Sequence, residues 1–187
     1  MRYRTIVIDP PWKIHIRFNH KLVDKSFPNA KKTESWLQPY STMTDKELLK
    51  WKLPVEIDDN AVMFMWVVHS KIQLGIKLLE NYGFTLKRLM AWKKLTGYNR
   101  DKGLPISWPR LGGFNANADF VLFGKRGKNV LNYTKPIKTI FEARVTGHSK
   151  KPTEFYDMIK QSTPDPRIDI FARKKHDGFD SYGNEVE

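Results

Sequence analysis

Apolar positions along this 187-residue chain alternate between short β-branched or aromatic runs and segments with helical spacing. Thr5 to Ile8 reads as a buried strand running into Asp9. Thr44-Asp45-Lys46-Glu47 fits a capping box that opens a short helix ending before Pro54. Ala61 to Val68 is a continuous apolar run, as expected of a central strand. Ser70 is placed as the cap of a helix carrying Ile72, Leu74, Ile76, Leu78 and Leu79 and stopping at Gly83. Leu86 to Trp92 and Phe120 to Phe123 read as strands, the second closed by the basic turn Gly124-Lys125-Arg126-Gly127. Pro152 opens a helix with Phe155, Tyr156, Met158 and Ile159, and Arg167 to Phe171 is the last strand. Strands alternating with helices predict an α/β fold, a Rossmann-like three-layer α/β/α arrangement with a mostly parallel sheet. Trp66 and Phe155 are expected in its core. With no repeat, low-complexity tract or long linker, residues 1–187 read as a single domain.

The first strand ends in Asp9-Pro10-Pro11-Trp12. Each proline removes a backbone donor and pushes its predecessor into extended geometry, so no helix can start there. A carboxylate, carbonyls without ladder partners and an indole are thereby held at the carboxyl end of a strand, where open α/β sheets place ligands. Attack by an exocyclic amine suits this arrangement. The amino group of adenine is a poor nucleophile because its lone pair is delocalised. Asp9 and the Pro10 carbonyl could accept its two N–H hydrogens, and Trp12 could stack on an extruded base. An ordinary strand-to-loop turn would use the same residue types.

Charge strengthens the first reading. The chain carries 33 Lys and Arg against 20 Asp and Glu, a formal net charge of +13, and 13% aromatic residues. The excess is concentrated between strands, in the segment from Lys13 to Lys32 with Phe18, Phe27 and Trp36. A second group, Lys93, Lys94, Arg100, Lys102 and Arg110, surrounds Tyr98 and Trp108. Basic segments with interleaved rings are a nucleic-acid footprint. Zero cysteines exclude thiolate metal sites and disulfides, and the five histidines have no ligand spacing, so no metal is expected. No run approaches a membrane span. Met1 to Ile8 has a charged strand pattern rather than the shape of a secretory signal, and a cytoplasmic location is expected. No G-x-G-x-x-G follows the first strand, and Gly112-Gly113 reads as a hinge, so contacts to any nucleotide-like cofactor are expected from the carboxy-terminal third.

With these elements in order, the chain resembles the MT-A70 family of adenine-N6 methyltransferases. The resemblance runs through Asp9 to Trp12, Gln38 to Met43, Val62 to Val67, and Ala91-Trp92-Lys93. It continues through His148-Ser149-Lys150-Lys151-Pro152 with Glu154, and through Phe171-Ala172-Arg173, to Gly183-Asn184-Glu185. It implies S-adenosyl-L-methionine as cofactor and a circularly ordered methyltransferase fold. It also implies Asp9, Pro10, Pro11 and Trp12 as the catalytic element. Ile8, Asp9, Lys151, Arg173, Asn184 and Glu185 would bind cofactor, with Lys151 on the methionine carboxylate and the last three on the ribose and adenine. Trp12, Lys13, Tyr40, Trp92, Lys93, Asn115 and Asp119 would meet the substrate.

Three departures stand out. Ala172 replaces a common glycine, Asp119 replaces a common glutamate, and the loop after Trp12 is longer and more basic. The expected activity is methyl transfer to adenine N6 in nucleic acid, DNA favoured over RNA because RNA-targeting extensions are lacking. A non-catalytic nucleic-acid-binding partner subunit is the rival, and methylation of a protein side-chain amide is a third possibility. Homodimers, or heterodimers with a related subunit, fit the family, with no membrane partner.

Overall fold

The computed structural model describes residues 1–14, 41–95, 117–146 and 150–183, together with the backbone of 110–111 and 114–115. The strands are β1 (Tyr3–Ile8), β2 (Ile57–Val67), β3 (Thr85–Leu95), β4 (Arg110–Leu111), β5 (Phe114–Asn115), β6 (Ala118–Arg126), β7 (Ile140–Arg144), β8 (Arg167–Ile170) and β9 (Asp180–Tyr182). The helices are α1 (Asp45–Lys50), α2 (Ile72–Asn81) and α3 (Thr153–Ser162). A seven-stranded sheet runs in the order β7-β3-β6-β2-β1-β8-β9, with β4 and β5 forming a separate two-stranded pair. Neighbours are parallel except at β6, which is antiparallel to both β2 and β3. The expected Rossmann-like α/β arrangement is present, with one reversed strand.

Alternation along the central strands sorts side chains to the two faces. Ile6, Ile8, Met63, Met65, Val67 and Ile170 join Leu78 and Leu79 of α2 in one core. Val7, Val62, Phe64, Trp66, Val121 and Phe123 join Phe155, Tyr156 and Ile159 of α3 in the other. Trp66 is 1% and Phe155 0% exposed, so both lie in the core as expected.

Some element boundaries differ from the sequence reading. The capping box at Thr44 is made in full, with Glu47 accepting from the Thr44 backbone and the Thr44 hydroxyl accepting from Glu47 N–H. Ser70 is not a cap. It lies in a 3-10 turn over His69–Lys71, and α2 starts at Ile72 without a side-chain cap. Gly124 is not turn but strand. A Cβ there would stand 2.7 Å from Leu79 Cδ2, so the bare backbone lets α2 press onto β6. The turn begins instead at Gly127, whose φ is +65. At the other end, β8 stops at Ile170 and Phe171 takes a left-handed φ of 62. Strands β7 and β9, absent from the sequence reading, extend the two edges of the sheet.

Candidate active site

The chain leaves β1 with a last ladder bond from Asp9 N–H to the Ile170 carbonyl, 3.2 Å. Pro10 and Pro11 cannot donate, and the segment folds back at once. Trp12 N–H donates to the Pro10 carbonyl at 2.8 Å, and Met43 N–H to the Pro11 carbonyl at 2.8 Å. The Pro10 carbonyl, expected to lack a ladder partner, accepts only from this local turn, whereas the Pro11 carbonyl joins an isolated bridge between Trp12 and Met43. Each oxygen keeps a second lone pair.

The Asp9 carboxylate lies 3.0 Å from the Lys151 ammonium, with the two side chains 18% and 16% exposed. Lys151 also stands 5.0 Å from the centre of the Trp66 ring, a cation–π contact from the residue that precedes the Pro152 cap of α3. The sequence reading places Asp9 in the catalytic element and, with Lys151, among the cofactor-binding residues; the structure makes the two a direct ion pair.

Beneath the pair is a buried carboxylate that the sequence reading missed. Asp169, in the middle of β8 and opposite Val7 of β1, is 2% exposed and accepts a 2.8 Å hydrogen bond from the Tyr156 hydroxyl of α3. Burial first, and then the charge of Asp9, pushes its carboxyl up to about 7, against the opposing pull of the Tyr156 hydrogen bond and of Lys151. The same burial, with Asp169 and Asp9 nearby, holds the Tyr156 hydroxyl well above the usual phenol range. The Tyr156 ring is stacked on His176 at 3.4 Å and 9°. Burial first, then the Lys174 charge, lowers the His176 imidazole. The available signal was an aspartate inside the otherwise apolar stretch Ile168 to Ile170.

The expected rings are placed differently. Trp12 is 4% exposed, belongs to the same core cluster as Ile8, Leu48 and Val67, and donates its indole N–H to the Trp66 carbonyl at 3.2 Å. Trp92 is 2% exposed, donates its indole N–H to the Ala143 carbonyl at 3.0 Å and meets Trp66 edge-on at 6.1 Å. Each indole N–H is tied to a carbonyl and each ring is packed in the core, so neither presents a face for a base. Trp92 packs edge-on against Trp66, the ring under Lys151, while Trp12 fills the core on the α2 face.

The remaining expected contacts are paired along the strand ends. Lys93 bridges Glu142 at 2.7 Å, and Lys94 bridges Asp119 at 2.8 Å while standing 5.4 Å from the Trp92 ring centre. Lys13 is exposed and holds the chain to Met43 through its backbone N–H. The Ile8 side chain is wholly buried, so only its backbone could meet a ligand. Arg173 is half-buried just past β8. At that tip Phe171 and Ala172 both donate to the Tyr182 carbonyl, and a Cβ on Gly183 would stand 2.4 Å from the Ala172 carbonyl oxygen. Ala172 itself is buried, and the left-handed backbone at this tip falls on its neighbour Phe171. Tyr40, Asn184, Glu185, His148, Ser149, Gly112, Gly113 and the basic segment from His15 to Trp36 lie outside the described residues. So do Tyr98, Arg100, Lys102 and Trp108, and the side chains of Arg110 and Asn115.

A carboxylate just past β1 and an ammonium just before α3 thus meet near a buried acid. The MT-A70 family profile matches residues 3–185. The chain belongs to the MT-A70 family. Three relatives show the range. An Arabidopsis thaliana protein named N(6)-adenosine-methyltransferase MT-A70-like is 28% identical over 190 residues, 98% of this chain and 24% of its own length. The human N(6)-adenosine-methyltransferase catalytic subunit METTL3 is 27% identical over 176 residues, 92% of this chain and 26% of its own. The type II methyltransferase M.MunI of a Mycoplasma is 26% identical over 193 residues, 99% of this chain and 78% of its own. This MT-A70 chain thus spans about a quarter of the plant and human proteins and most of M.MunI. Among its described residues no helix is long and apolar enough to cross a membrane.

Proposed function

We propose that this MT-A70 chain transfers the methyl group of S-adenosyl-L-methionine to the N6 amine of adenine in nucleic acid, with DNA as the favoured substrate. The observation that carries the reading is the Asp9–Lys151 pair at the carboxyl end of β1. A carboxylate and an ammonium 3.0 Å apart, both still partly exposed, complement the ammonium and carboxylate of the cofactor's amino-acid head. The close backbone approach of Gly183 to Ala172 leaves the neighbouring strand tip free of side-chain bulk. The family match and the relatives' names support the adenine amine as target. The likeness to a type II methyltransferase supports DNA as the favoured substrate.

When bound, S-adenosyl-L-methionine supplies an electrophilic methyl group on a sulfonium. The chain's own residues do the positioning. Lys151 binds the carboxylate of the amino-acid head, with Trp66 beneath it. Asp9 accepts an N–H of the adenine amine and so turns the nitrogen lone pair away from the ring. As positive charge builds on that nitrogen, the Asp9 carboxylate stabilises it, a transition-state interaction in a partly desolvated site. The remaining N–H faces the free lone pair of the Pro10 carbonyl. Arg173, Asn184 and Glu185 are assigned to the ribose and adenine of the cofactor. Lys13, Tyr40, Lys93, Asn115 and Asp119 are assigned to the strand around the target base. A homodimer or a heterodimer with a related subunit is the proposed assembly, in the cytoplasm.

The test is methyl transfer from labelled S-adenosyl-L-methionine to matched single-stranded DNA, duplex DNA and RNA. Label in DNA above RNA supports the whole reading. Label in RNA alone would overturn the DNA preference, and no label in any substrate would overturn the activity.

A further inference from the structure

On the α3 face of the sheet, at the end away from Asp9, is a groove of about 360 Å³. Its floor is apolar, formed by Phe64, Met90 and Phe123, and its walls carry Lys87, Arg88, Lys125 and Lys135. No carboxylate lines it. Among the described residues none of these four cations is in an ion pair; Arg88 donates to the neighbouring Lys87 carbonyl. This contrasts with Lys93, Lys94 and Lys151, each within 3.0 Å of a carboxylate.

Two backbone features aim charge and a ring into this groove. Successive strand residues ordinarily face opposite sides, yet Lys87 and Arg88 both line it. The β3–β6 register shifts between Leu86 and Arg88, so Lys87 is an extra residue, and the bulge turns both cations to the same side. Across the groove, Asn132 N–H donates to the Ser162 carbonyl at the end of α3, and Lys135 N–H to the Asn132 carbonyl. This tied turn holds Lys135 on the wall and presents Tyr133, which is 83% exposed.

Uncompensated cations over an apolar floor, with a free phenol ring at the rim, match a polyanion that carries flat rings. We propose that this groove is a second nucleic-acid contact, in which Lys87, Arg88, Lys125 and Lys135 hold backbone phosphates and Tyr133 stacks on a base of a single-stranded segment lying beyond the target adenine. The inference rests on the nucleic-acid reading above and extends it to a surface outside the catalytic end. The ten residues of α3 separate the two regions by about 15 Å, a few nucleotides of extended strand.

The test uses the full chain and fluorescently labelled single strands of about 20 and about 3 nucleotides, each with one central adenine. Lys87→Glu with Lys135→Glu changes two exposed side chains, and Tyr133→Ala is an independent variant. The double variant is expected to bind the long strand at least about tenfold more weakly. Its slope of log affinity against log salt should fall by roughly 1.4, for two lost phosphate contacts. Tyr133→Ala should weaken the long strand at least about fivefold. Methyl transfer to the short strand, too short to span both regions, should stay within about twofold for both.

Unchanged long-strand affinity and salt slope would overturn the groove contact while leaving the catalytic reading standing. Equal loss on short and long strands would overturn its separateness from the catalytic end. Weakened binding of adenosine monophosphate with unchanged strand binding would overturn the strand assignment and make the groove a small-ligand site. A wild-type chain that binds neither strand would overturn the nucleic-acid reading and the groove together.

Discussion

The two ends of α3 handle positive charge in opposite ways. At its amino end Lys151 is partly buried, paired with Asp9 at 3.0 Å and seated over Trp66, with the buried Asp169 and Tyr156 behind. At its carboxyl end Lys87, Arg88, Lys125 and Lys135 line a groove without a carboxylate. A compensated, half-desolvated pair is fixed in place and suits chemistry, because its orientation is set before a ligand arrives. Exposed, unpaired cations are screened by salt and suit sequence-independent attraction of phosphates. Net charge alone would not separate the two roles; the distribution of carboxylates does.

Removing the chemical partner at the amino end should have the largest effect. Asp9→Asn keeps the shape and one acceptor oxygen but removes the charge that faces the amine. Its transfer rate at saturating cofactor and strand is expected to fall roughly 10²- to 10⁴-fold, read in single-turnover assays. A variant within a few-fold of wild type would remove Asp9 from the catalytic element. Lys151→Ala should come next. Loss of a charge-assisted contact is expected to weaken S-adenosyl-L-methionine about ten- to a hundredfold by calorimetry. Strand affinity should be spared, and equal weakening of both ligands would contradict the division between the two ends.

The unmodified protein sharpens the same contrast through salt. Raising it from about 50 to 200 mM should lower strand affinity steeply and cofactor affinity little, since only the strand displaces condensed counterions. Parallel salt responses would erase the distinction.

The last effect concerns stability rather than transfer or binding, through Asp169. Its carboxyl titrates at about 7 in the folded chain against an ordinary 3.8, so the native state binds the proton more tightly than the unfolded one. Stability from this group is therefore greatest at low pH, declines as pH rises from about 4 to about 7, and is level above that. Burial sets this value first; the charge of Asp9 adds to it, and the Tyr156 hydrogen bond and Lys151 oppose it. Asp169→Asn removes the titration, so its stability relative to wild type should rise across that window, by up to about 1.4 kcal/mol per pH unit. A difference that stays constant with pH in denaturant melts would contradict the assignment.

Much of the frame was legible because local rules and tertiary packing agree there. The β-branched run before Asp9, the apolar β2 and the Thr44 capping box each carry a signal that packing reinforces. Gly124 shows where that agreement ends. Glycine beside Lys125 and Arg126 reads as a turn, but its missing side chain serves the contact with Leu79, a residue 45 positions earlier in the chain. Ser70 has the right residue type for a cap, yet the chain enters α2 through a 3-10 turn from Val68.

The site divides the same way. Asp9 and Lys151 stand in recognisable motifs, but their direct pairing depends on β1 and α3 meeting in space. Trp12 was marked by residue type and Trp92 by the family resemblance, and an indole serves equally well to fill a core when its N–H reaches a carbonyl. Asp169 escaped notice because its function depends on Tyr156, thirteen residues away and on another layer.

The most direct test of the account is nucleoside analysis by mass spectrometry of an adenine-containing DNA strand after incubation with the protein and S-adenosyl-L-methionine, for wild type and Asp9→Asn. The account predicts N6-methyladenine with wild type and its near disappearance with the variant. Methylation at another atom, equal product from both proteins, or no product from a folded wild-type chain would contradict it.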